Sequence, residues 1–163
     1  MITPNQQDTA NSAWLIFSLL TVVAWGLYGI MLHKGQAQMA DPANGRYKAF
    51  LWVGLAYFMV AVLAPLAVLI ARGATWQMPT GGIAWSLLAG ILGATGAFCV
   101  LLAFAAKGAP SVVMSIVFAG APVINACVAI SLSNSWGKLR WQFIAGILLA
   151  AIGGGLVTLF RPS

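Results

Sequence analysis

Acidic side chains are nearly missing from this sequence: Asp8 and Asp41 are the only two carboxylates in 163 residues. One lies in the N-terminal stretch and the other between two apolar runs, so no apolar run contains a carboxylate. A pump that exchanges a cationic drug for protons usually relies on such a group within the membrane. This chain cannot work that way by itself. Histidine occurs once, as His33 beside Lys34 at the end of a run, which suits an exposed interfacial position. Cysteine occurs twice, and Cys99 and Cys127 each fall inside an apolar run, where small packing residues are expected rather than a disulfide or metal pair. There is no Cys-His cluster, no phosphate-cradling glycine loop and no nucleophile-base pair. The expectation is therefore no catalytic centre, no metal, no cofactor and no enzyme.

Charge of either sign is scarce. Only 6% of the residues are charged, against about 25% in a soluble domain, and that composition excludes a water-soluble fold. The net charge of +6 is spread singly between apolar runs and forms no basic stripe, so nucleic acid is not an expected partner. The opening stretch, MITPNQQDTANS, has no positive n-region and no small-residue cleavage site. It reads as a polar tail over residues 1–12, with the first apolar run retained.

What the chain has in quantity is apolar length. Hydrophobic residues make up 61% of it, in five runs at about 13–33, 48–71, 83–106, 109–132 and 141–160. The third and fourth meet at Lys107-Gly108-Ala109-Pro110, a connector short enough to force a tight antiparallel turn. A helix of about 24 residues spans roughly 36 Å, more than the ~30 Å hydrocarbon core of a bilayer. The expected fold class is an all-α integral membrane protein, a bundle of five transmembrane helices forming a single domain over residues 13–160. A short tail, 161–163, follows. Asn11-Ser12 suit a helix start, Asp41-Pro42 and Asn44-Gly45 suit turns, and Pro65 should kink the second helix or break its hydrogen-bond ladder.

Five spans put the termini on opposite sides. Lys34, Arg46, Lys48, Lys107 and Arg161 fall on one side, and Arg72, Lys138 and Arg140 on the other. Basic residues concentrate on the cytoplasmic side, which favours N-out, C-in. The near balance also fits copies inserting in both orientations.

Two helix faces carry the polar and aromatic residues. Ser18, Thr21, Trp25 and Tyr28 recur at helical spacing in the first span, and such a face is expected to point into the bundle. Ser111, Ser115, Phe118, Pro122 and Asn125 do the same in the fourth. An amide near the middle of a membrane helix needs a partner or a wet cavity. Pro122 removes one backbone hydrogen bond and frees the Phe118 carbonyl, a common way to build a site inside a membrane. The candidate substrate path is thus Trp25, Tyr28, Ser115, Phe118, Pro122 and Asn125. Small residues that let helices approach closely lie on two further faces: Ala89, Gly93 and Ala97 in the third span, and Gly146, Ala150 and Gly154 in the fifth.

With these residues in place, the chain resembles one five-helix half of an EamA-like transporter of the drug/metabolite transporter superfamily. The resemblance covers about residues 13–160. It rests on Trp25-Gly26, on AGILGATGAFCVLLAFAAKGAPSVVMSIVFAGAPV, and on the glycine-rich fifth run QFIAGILLAAIGGGLV. The family often has Gly-Glu after the fourth helix, where this chain has Ser133-Asn134-Ser135-Trp136-Gly137. The resemblance implies half of a ten-helix inverted repeat, with a cavity lined by the first four helices and alternating access. It also implies an antiparallel homodimer, or a heterodimer with a second EamA-like half, carrying a small-molecule substrate across a lipid membrane, the bacterial inner membrane. A non-transporting subunit that binds and stabilises another membrane protein is the competing reading.

Overall fold

The computed structural model describes residues 4–160, with the side chains of residues 4–12 and of Lys138 outside the description. The expected C-terminal tail with Arg161, and the first three residues of the N-terminal one, therefore lie outside the described residues. The described chain is all-helical. Helix α1 covers Pro4–Gln38 and α2 Gly45–Phe58, followed by a π-turn at Met59–Leu63 and α3 at Ala64–Ala71. Helix α4 covers Thr80–Ala105, α5 Pro110–Leu132 and α6 Trp141–Leu159, with a short 3-10 turn at Trp136–Lys138. Because α2, the π-turn and α3 run on as one helix, five helices are long and apolar enough to cross a membrane. The chain divides into two compact units, one up to Arg72 and one from Gly73 onward.

In the first unit α1 and α2 form a hairpin whose contact is made by Leu32, Ala49 and Gly45. Helix α1 begins at Pro4 and runs straight through Asn11 and Ser12, so these residues do not cap it. Proline suits the first turn, where its missing N–H costs nothing. The turn into α2 is built by Asp41. Its Oδ1 accepts from the Ala43 and Asn44 N–H groups at 3.1 and 2.9 Å, and its Oδ2 from Lys48 Nζ at 2.6 Å. Asp41 thus holds the turn over residues 42–44 that leads into α2, and the second span starts earlier than the expected residue 48. Gly45 is required by proximity: a Cβ there would sit 3.1 Å from Met39 Cβ and 3.3 Å from the Gln36 carbonyl.

Pro65 takes effect upstream of itself. Its ring would collide with the carbonyl four residues back, and the helix widens there into the π-turn, whose closing bond runs from the Ala64 N–H to the Met59 carbonyl. The ladder is re-registered instead of broken.

The second unit packs α4 on α5 and, more extensively, α5 on α6. Ala97, Val100, Leu101 and Phe104 form the buried stripe of α4, and Val112, Met114 and Ala126 are the buried residues of α5. The α4–α5 turn closes with the Gly108 N–H on the Ala103 carbonyl at 2.9 Å and the Lys107 N–H on Phe104 at 3.0 Å. Those bonds place Lys107 at φ +67°, in the left-handed region usually left to glycine.

Candidate functional site

The first unit holds one of the two sequence-predicted faces. The Ser18 hydroxyl donates to the Trp14 carbonyl at 2.7 Å and Thr21 to that of Phe17 at 2.9 Å. Both side chains are exposed, contrary to the expectation that this face turns inward. A hydroxyl satisfied by its own helix has no need of a neighbour, so the stripe does not decide which way α1 faces. Three residues further along, the rings of Trp25 and Tyr28 meet at 5.6 Å between centroids, tilted by 54°. Tyr28 is half-buried, and its hydroxyl is shielded beside Tyr57 without a well-formed hydrogen bond.

The second unit holds the other face. Ser115 donates to the Ser111 carbonyl at 2.6 Å, again within its own helix. Phe118 and Pro122 are exposed, and α5 continues through Pro122. Asn125 is exposed as well, and its amide finds no hydrogen-bond partner among the described residues. The six substrate-path residues therefore fall into two sets: Trp25 with Tyr28 in one unit, and Ser115, Phe118, Pro122 and Asn125 on one helix of the other.

The small-residue faces are used unevenly. Gly154 lies so close to α5 that an added Cβ would collide with Ala119 Cβ and stand 3.2 Å from the Ser115 carbonyl. Gly146 and Ala150, two and one turns earlier on the same face of α6, are exposed, and a Cβ on Gly146 would meet open space. On α4, Ala97 is buried whereas Gly93 faces open space. Beside Gly154 the two helices leave an open apolar groove of about 570 Å³, in which Ala119, Gly120 and Thr158 take part. Thr158 spends its hydroxyl on the Gly154 carbonyl, 2.9 Å away. The sequence reading overlooked Ala119; the signal was Ser115 and Ala119 at i, i+4, a small pair on α5 to receive the small face of α6.

Cys99 and Cys127 are free thiols at exposed positions on α4 and α5. Among the described residues no three His, Cys, Asp or Glu side chains come together. Large apolar side chains such as Trp14, Leu51, Trp85, Leu132 and Leu149 are exposed along all five long helices, and among the described residues no polar or charged one is buried. No protein-family profile, curated protein or solved structure matches the chain. Its class is therefore defined by the helices: the described residues form an all-helical chain with five segments long and apolar enough to cross a membrane.

Proposed function

We propose that this chain is an integral membrane protein acting as one half of a small-metabolite or drug transporter. Two copies, or this chain and a sister half, pair in antiparallel orientation and expose the substrate path to each side in turn. The observation that carries the reading is Asn125, an exposed amide within a membrane-length apolar helix and without a partner among the described residues. In hydrocarbon such a group demands a polar neighbour, which a substrate path or a second chain would supply. Pro122, one turn earlier, cannot answer the Phe118 carbonyl, which adds an acceptor to the same exposed face. Within the first unit, Trp25 and Tyr28 form an aromatic pair suited to an apolar or cationic group.

The test is flux in proteoliposomes containing only the purified chain, offered labelled small metabolites and lipophilic cations. Transport by the wild type, abolished in Asn125→Leu at equal protein content, is the expected result. Undiminished flux in Asn125→Leu would remove the site assignment. A wild type that carries nothing alone, but copurifies stoichiometrically with another membrane protein, would replace this reading with that of a stabilising subunit.

A further inference from the structure

Arg46 stands in the first turn of the span Gly45–Ala71, and the ion pair recorded among the described residues, Lys48 with Asp41, does not include it. Its Cζ lies 5.0 Å from the centroid of the Tyr47 ring, and its Nε is shielded from solvent without a hydrogen-bond partner. The sequence holds only two acidic side chains that could balance it. Asp41 is already committed three times over, to Lys48 and to the backbone N–H groups of Ala43 and Asn44. Asp8 belongs to α1, about 40 Å back along that helix from Lys34 at 1.5 Å per residue. No acidic residue follows Asp41 anywhere in the chain.

An uncompensated guanidinium at the end of an apolar helix is expensive. It can be answered from outside by an anion with oxygens to match its fork of donors, and phosphate is the usual one. Position selects the source. Arg46 is followed at once by Tyr47, Phe50 and Trp52, aromatic residues of the kind that settle at the headgroup level. Lys34, at the end of the hairpin partner helix, adds a second cation to this end of the unit. We infer that Arg46 is a binding site for the headgroup phosphate of an anionic phospholipid, with Tyr47 packed under the guanidinium. This rests on the membrane placement proposed above, although not on transport.

The test is lipid retention by the full chain, reconstituted in vesicles of phosphatidylglycerol and phosphatidylcholine, extracted in mild detergent and weighed by native mass spectrometry. Wild type should retain phosphatidylglycerol selectively, Arg46→Lys should retain it partially, and Arg46→Gln should lose it by about fivefold, the weight of one surface cation. Inorganic phosphate should not compete. Equal retention of both lipids by the wild type, or unchanged retention in Arg46→Gln, would overturn the inference. Displacement by inorganic phosphate would also overturn it, by showing a site for a free anion. Should Asp8→Asn and Arg46→Gln both separate paired copies while lipid retention holds, the counter-ion is the second copy's carboxylate and not a lipid. Resistance of the chain to alkaline extraction from vesicles reports membrane placement separately, so failure of that reading is distinguishable.

Discussion

At the scale of single residues, the sharpest electrostatic feature is Asp41. Lys48 first, and then the Asn44 and Ala43 N–H groups, hold its carboxyl at about 2, below the ordinary carboxylate value of 3.8. A lowered value in the folded turn means that the ionised form supports the turn. That support is complete above the ordinary value and fades as pH falls from about 4 towards 2. A carboxyl ¹³C titration in micelles should give a midpoint near 2, and Lys48→Met should move it upward toward the usual range. A midpoint unchanged by that substitution would mean the ion pair contributes little. Asp41 also shows a residue whose role was legible in the sequence: Asp-Pro reads as a turn, and the Asp41 carboxylate holds that turn through the Ala43 and Asn44 N–H groups.

At the scale of helices, contact is decided by where two surfaces cross. Between helices this apolar, burial alone gives little once lipid covers the alternative, so close fit governs association. Gly154 is at such a crossing and Gly146 is not. Gly154→Leu should therefore destabilise the α5–α6 pair by on the order of 1–3 kcal/mol, the usual cost of overpacking, whereas Gly146→Ala should be close to neutral. Thermal unfolding in detergent separates the two, and equal effects would refute this account of the contact. Periodicity made the stripe Gly146, Ala150 and Gly154 visible in the sequence, because spacing fixes the angle of a residue around its helix. It does not fix the height at which the neighbour crosses. The serine and threonine stripes fell short for another reason, since their hydroxyls return to their own i−4 carbonyls.

At the scale of the whole molecule, the five long apolar segments were plain from composition, and their observed ends differ by only a few residues except at α1, which starts at Pro4. The candidate path was less legible, because face sharing within one helix says nothing about which helices come together. The two free thiols offer a direct check on the membrane reading, since Cys99 and Cys127 lie within α4 and α5, more than one turn from their ends, at exposed positions. With the chain in bilayers, neither a small uncharged maleimide nor a charged, impermeant one should label them rapidly, because the reactive thiolate does not form in hydrocarbon. Both reagents should react after denaturation. Rapid labelling by the charged reagent in intact vesicles would place these surfaces against water or a wet cavity.

The π-turn at Met59–Leu63 has a consequence for how such a chain can change length. A π-turn fits one surplus residue into a helix, so the segments on either side stay phased as they would be in a helix one residue shorter. The turn therefore acts as a splice: loss of a residue within 59–63 would leave the faces of α2 and α3 aligned, while loss of one elsewhere in Gly45–Ala71 would rotate one face against the other by about 100°. Within this span, a single-residue deletion is best tolerated there.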